Sequence, residues 1–195
     1  MRNAQIIVIA FLAGAAAPAL ALTDGDFRQL MGAAVTVATQ PSQVQPQTKR
    51  ICIEQELTPP LEAVERSNQL FNYSGVPLWT GDPVADRALS VAVSSNAAAS
   101  HQTRMPPLPP KYIVGHFPPP PPACLVEHVP RPPGWPKADD SAVVLSFSRP
   151  ALANGYAFIE EYEDCPGLCG TTFLRVFRKE HGTWVQVAQR VLSVS

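Results

Sequence analysis

The stretch Val143-Val144-Leu145-Ser146-Phe147-Ser148-Arg149-Pro150-Ala151-Leu152-Ala153-Asn154-Gly155-Tyr156-Ala157-Phe158-Ile159-Glu160-Glu161-Tyr162 decides the fold class. Val143 to Phe147 is a β-branched and aromatic run that stops before Arg149-Pro150, because proline has no N–H to give a ladder. Asn154-Gly155 is the dipeptide of a two-residue hairpin turn, in which both residues take positive φ. Beyond it Tyr156, Phe158, Glu160 and Tyr162 alternate with Ala157, Ile159 and Glu161, the two-residue period of a strand. Thr171 to Lys179 and Thr183 to Val191 continue in the same manner, joined by His181-Gly182. Histidine tolerates the left-handed region better than most residues and glycine enters it freely. Centring that turn pairs Lys179 with Trp184 and Val176 with Val187. Four strands with tight connections and no crossover helix read as an antiparallel meander.

Toward the N-terminus the period changes. Phe27, Leu30, Met31, Ala34 and Ala38 recur at helical spacing within Thr23 to Thr39, with Thr23 and Asp26 forming a capping-box-like start. Gln40 to Gln47 is a connector. Arg50 to Leu57 reads as a short strand, with Ile51 and Ile53 on one face and Cys52 on the other. Thr58-Pro59-Pro60 has the cap and early proline of a second helix, bearing Leu61, Val64 and Phe71. Asp82-Pro83 opens a third, with Val84, Ala88, Val91 and Ala92.

Between these halves lies a compositional break. Thirteen of the 22 prolines fall between Met105 and Pro136. Pro118 to Pro122 reads as polyproline II, a stiff strap of roughly 3 Å per residue, with a short strand near Tyr112 to Val114 before it. Pro107, Pro110 and Lys111 form a Pro-x-x-Pro-Lys string of the peptide-motif type, for which a packed strap is the favoured explanation.

Residues 1–21 have the form of a secretory signal. Arg2 supplies the charge, Ile6 to Ala13 the apolar core, and Ala19-Leu20-Ala21 the small-x-small end, placing the cut after Ala21. An uncleaved anchor over Ala4 to Leu22 is the competing reading, and Pro18 with the Ala-x-Ala end weighs against it. The expectation is an exported protein, periplasmic or extracellular, with no membrane span after cleavage. Its mature net charge of about −2 lacks the basic footprint of a nucleic-acid binder. In an oxidising compartment the four cysteines, Cys52, Cys124, Cys165 and Cys169, read as two structural disulfides. Three pairings are open. Cys165 with Cys169, close enough for a small ring, leaves Cys52 with Cys124; loop entropy assigns about 2 and about 4 kcal/mol to the two bridges.

The chemistry-bearing residues have ordinary explanations. Cys165-Pro166-Gly167-Leu168-Cys169-Gly170 reads as a stapled hairpin tip. Copper-delivery proteins use Cys-x-x-x-Cys between a strand and a helix, and redox thiols use Cys-x-x-Cys at a helix N-terminus; strand patterns flank this motif on both sides. His101, His116, His128 and His181 show no ligand spacing. Glu160 and Glu161 point to opposite faces of a strand, with Arg175 and Arg178 as cross-strand partners, which reads as a solvated, salt-bridged face. There is no nucleophile elbow, Ser-x-x-Lys motif or phosphate loop. No catalytic residue, metal or cofactor is assigned.

Ser148-Arg149-Pro150-Ala151, Ala157, Cys165 to Gly170, Trp184-Val185 and Leu192-Ser193 resemble the C-terminal segment of uncharacterised exported bacterial proteins. The resemblance covers about a quarter of the chain and implies a structural hairpin module with no known activity. Leu192 departs from it, since those proteins often carry an aromatic residue before the serine.

The expected fold is α+β: N-terminal helices packed on a C-terminal four-stranded antiparallel meander, with the proline-rich strap connecting them. Its segments are 1–21 signal peptide, 22–104 helical part with one short strand, 105–140 strap and 141–195 meander, with 22–195 as one domain. The expected role is non-enzymatic, structural or binding, toward a small ligand or an envelope protein. Tyr156, Phe158, Phe173, Phe177 and Trp184 are candidate pocket-lining residues, weighed against a plain core role. A dispersed-site hydrolase is the alternative, and a copper or thiol redox protein using Cys165 and Cys169 the third.

Overall fold

The computed structural model describes residues 22–40, 51–71, 80–95, 101–116, 143–164 and 170–194. Its elements, in chain order, are α1 (Asp24–Ala38), β1 (Ile51–Glu54), α2 (Glu62–Phe71), α3 (Pro83–Ser95), β2 (Ile113–Gly115), β3 (Val143–Phe147), β4 (Ala151–Ala153), β5 (Tyr156–Asp164), β6 (Thr171–Glu180) and β7 (Thr183–Val194).

The architecture is not the expected α+β arrangement of helices on a four-stranded antiparallel meander. It is mostly β, a single seven-stranded mixed sheet accompanied by three helices among the described residues. The strand order is β2-β1-β3-β5-β6-β7, with β4 paired to β5 beside that path. The strands β3, β5, β6 and β7 do run antiparallel to one another, but β1 lies parallel to β3 on one side and parallel to β2 on the other. Residues assigned from the sequence to a helical N-terminal part and to the strap thus supply two of the seven strands, β1 and β2, of one sheet shared with the C-terminal ribbon. The physical reason is that a parallel pair needs a long crossover, and α2 and α3 lie within the one joining β1 to β2. Nothing local in a four-residue or three-residue strand announces such a partner.

The segment from Val143 to Tyr162 is subtler than a single hairpin. Asn154 and Gly155 take φ of 50° and 80°, the left-handed pair the turn requires. Before the turn, however, the chain pairs twice with β5: β4 runs from Ala151 opposite Phe158 to Ala153 opposite Tyr156, and β3 from Val144 opposite Asp164 to Phe147 opposite Glu161. Ser148-Arg149-Pro150 separates them. There the Ser148 N–H donates to the Glu160 carbonyl (2.8 Å) while the Ser148 hydroxyl accepts the Glu160 N–H (2.8 Å). A side chain thereby replaces the carbonyl the ladder would otherwise supply. The Arg149 N–H turns the other way, to the Thr58 carbonyl.

The period-two alternation sorts the core into two layers. Ile53, Leu145, Phe147, Ala157, Ile159, Phe177 and Trp184 pack with Phe27, Leu30, Met31, Ala34 and Val35 of α1. Ala151, Ala153, Tyr156, Phe158, Leu174, Val176 and Leu192 pack with Leu61, Ala63 and Val64 at the start of α2 and with Ala85, Ala88, Leu89 and Ala92 of α3. Helices therefore cover the sheet from both sides. Thr23 caps α1 as its sequence predicts, its hydroxyl accepting the Asp26 N–H at 3.1 Å. Asp82 caps α3 through the Val84 and Ala85 N–H groups.

At the His181-Gly182 turn φ is 48° and 83°, and Lys179 does face Trp184. Farther along, Val176 faces Ala188 rather than Val187, because register shifts leave Val187 and Leu192 as extra residues in β7. Bulges of this kind bend a terminal strand of a sheet and are invisible to a pairing rule that starts from the turn.

Candidate functional site

Separate polar arrangements lie at the carboxyl ends of the parallel strands β1 and β2 and beside the end of β3. At the end of β1 the Glu54 carboxylate lies 3.1 Å from Nδ1 of His116, which follows β2. The imidazole is largely exposed, and the carboxylate is mostly covered. A carboxylate on Nδ1 leaves Nε2 facing outward, the arrangement in which a histidine moves protons for a bound molecule.

At the end of β3, on the layer of α2 and α3, stands Glu160, fully buried. Its Oε1 accepts the Val64 N–H (2.7 Å) and its Oε2 the Tyr162 hydroxyl (2.7 Å), with the Ala63 N–H also directed at the carboxyl. Helix α2 begins at Glu62, so these are its second and third amides, the ones an N-cap side chain ordinarily satisfies. The residue before the helix is Leu61, which has no polar atom to offer and holds φ at 57°. Thr58, which the sequence nominates as the cap, is instead bridged to Ser148 in the sheet, donating its N–H to the Phe147 carbonyl (3.0 Å). The cap arrives from β5, 96 residues away in sequence. Burial pushes the Glu160 carboxyl above the ordinary carboxylate range, and Tyr162, the α2 amides and Arg66 oppose that shift. Burial and the adjoining Glu160 likewise push the Tyr162 phenol up.

Back to back with it, on the α1 layer, Glu161 is buried and gripped by Arg175 of β6. The guanidinium Nε and Nη2 both donate to the carboxylate, Nη2 at 2.9 Å, and Nη1 donates to Gln186 (3.2 Å) and Gln189 (2.9 Å). The same guanidinium lies 5.2 Å from the Phe173 ring centroid. The alternation of Glu160 and Glu161 thus matches the strand argument, but this is no solvated face: both carboxylates and Arg175 are buried. Arg178 pairs with Glu180 on its own strand instead.

The five candidate pocket residues are not brought to one surface. Tyr156 and Phe158 stack in the layer of α2 and α3, with centroids 6.4 Å apart. Phe177 and Trp184 lie in the α1 layer, and Phe173 shares that face beside Arg175. Cys52 is fully buried on β1 and disulfide-bonded. Cys124, Cys165 and Cys169 lie outside the described residues, as do the two expected pairings, the polyproline run, the signal segment and His128. His101 and His181 are exposed. Among the described residues no group of three His, Cys, Asp or Glu side chains forms a metal-holding cluster, and no helix is long and apolar enough to cross a membrane.

Reasoning from sequence missed the capping role of Glu160 and the Glu54–His116 contact. Both depend on strands that are neighbours in space only. One signal was available for Glu160: an acidic residue amid Phe158, Ile159 and Tyr162 on a strand long enough to be central.

No protein-family model, characterised protein or solved structure matches the chain.

Proposed function

We propose that this is an exported protein, periplasmic or extracellular, whose role is structural or binding rather than catalytic, with a small ligand or an envelope protein as partner. The supporting observation is how the fold uses its buried polar groups. Glu160 caps a helix, Glu161 and Arg175 neutralise one another, and Ser148 completes a broken ladder. Each is committed to holding elements together, and the aromatic side chains are divided between two packed layers. Two bridges, Cys165–Cys169 and Cys52–Cys124, are part of this reading, as is membership of the exported proteins that the C-terminal segment resembles.

Mass spectrometry of the protein recovered from fractionated cells, alkylated with and without reductant, tests it. The expected product begins at Leu22, lies outside the cytoplasm and takes up no alkylating reagent until reduced. A full-length reduced chain in the cytosol would end the proposal. Two reactive thiols at Cys165 and Cys169 would turn it toward copper or redox chemistry.

One observation favours a second reading, a dispersed-site hydrolase: the Glu54–His116 contact places an oriented imidazole at the carboxyl ends of parallel strands. Such ends are where open sheets with parallel strands bind ligands. Screening ester, amide and phosphoester substrates with the native protein and with His116→Ala separates the two. Turnover lost in the variant supports the hydrolase, and no turnover in either supports the binding role.

A further inference from the structure

Glu160 combines three features that a plain structural residue does not need together. Its carboxyl is wholly buried, it holds the α2 N-terminus from another element, and the turn it secures contains a leucine in the left-handed region. A leucine with φ of 57° is disfavoured by its Cβ, so the turn persists only while its surroundings hold it. Those surroundings are the burial of Leu61 and Val64 against the sheet and the bonds from Glu160 to the helix amides.

The carboxyl can serve the helix in either ionisation state. With a proton it still accepts the Val64 N–H at Oε1, and the 2.7 Å contact between Oε2 and the Tyr162 hydroxyl then runs with the carboxyl as donor. Without the proton a full charge sits where no water reaches it, which is costly unless it is compensated. The compensation comes from neutral dipoles, the Ala63 and Val64 amides and the Tyr162 hydroxyl, rather than from a cation paired with the carboxylate. From α2, Arg66 faces the site at long range; it is itself exposed and 3.5 Å from Glu62, and Glu65 adds a second acidic group to the same turn. From β5 comes the phenol of Tyr162, while the Ser148 hydroxyl, just past β3, is taken up by the Glu160 backbone N–H and not by the carboxyl. β6 places apolar Leu174 directly opposite. β5 is held in ladders on both sides, so the α2 end is the part free to yield.

We propose that Glu160 makes the seating of α2 proton-dependent: a protonated carboxyl keeps the first turn of the helix on the sheet, and loss of the proton lifts that turn so the carboxylate reaches water. The sign follows from linkage. A carboxyl whose closed-state affinity for the proton is raised favours the closed state in acid, and that preference fades as pH rises above the ordinary carboxylate range.

Amide exchange of the full chain, followed at Ala63 to Arg66 against Ala85 to Ala92 of α3 and corrected for the intrinsic pH dependence of exchange, tests this. α2 protection should be lost progressively relative to α3 as the pH is raised above the ordinary carboxylate range. Glu160→Gln, which hydrogen-bonds without titrating, should flatten the dependence. Equal protection of α2 and α3 at every pH, or the same loss in the Gln variant, overturns the proposal. Should that variant fail to fold, Tyr162→Phe serves: removing a donor that favours the charged form should move the midpoint to higher pH, and an unmoved midpoint counts against the idea.

Discussion

Glu161 and Arg175 meet diagonally across the β5/β6 ladder, with Arg175 directly opposite Ile159 and Glu161 opposite Phe173, and the guanidinium fork closes on the carboxylate inside the α1 layer. The pair is almost wholly buried, 7 % and 1 % exposed at the side chains. Burial pushes the Glu161 carboxyl up, and Arg175 opposes it. Arg175→Ala strands a buried carboxylate and is expected to cost about 3–5 kcal/mol in urea unfolding, whereas the double change Glu161→Leu with Arg175→Met is expected to recover most of that loss. A double-mutant cycle read by denaturant midpoints checks both; additive losses would contradict a direct pairing.

Ser148 sits where the ladder breaks, and its hydroxyl is what the Glu160 N–H finds there. Ser148→Ala leaves that buried amide without its acceptor. A loss of about 1–3 kcal/mol is expected, with Ser148→Thr much closer to the native protein. Thermal unfolding of both variants is the measurement.

The His181-Gly182 turn carries φ of 48° and 83°. Gly182→Ala should destabilise by about 1–2 kcal/mol, because a side chain in the left-handed region meets its own backbone. His181→Asn should leave the protein equally or more stable, since asparagine suits the first position of such a turn. A marked loss in the asparagine variant, by calorimetry, would show that His181 has work beyond the turn.

Caps at the two conventional helix starts are local and separable. Thr23→Ala and Asp82→Ala should each cost about 1 kcal/mol, and in combination their effects should add. Circular dichroism during chemical unfolding reads both.

Asp26 contributes an acid-side dependence of opposite sign to that of Glu160. Its hydrogen bond to Lys179 holds the carboxyl below the ordinary aspartate range, so its contribution is present above that range and is lost as pH falls through the lowered value. Asp26→Asn should weaken the drop in melting temperature on acidification, measured against the native chain over the same buffers.

Local chemistry decided what a sequence can decide. The helices with hydroxyl or carboxylate caps at Thr23 and Asp82, the strands with a clean period of two, and the turns at Asn154-Gly155 and His181-Gly182 are written in short-range preferences, because each depends on atoms a few residues apart. The opposite facing of Glu160 and Glu161 followed from the same period. What only the tertiary structure decided is every relationship made by strands distant in the chain. The parallel insertion of β1 between β2 and β3 turned an expected meander into a mixed sheet with helices on both sides. The same packing excluded water from Glu160, Glu161 and Arg175, and gave α2 a cap that its own sequence lacks. Such contacts are selected by the burial of whole layers, a non-directional and cooperative term that no window of neighbouring residues contains.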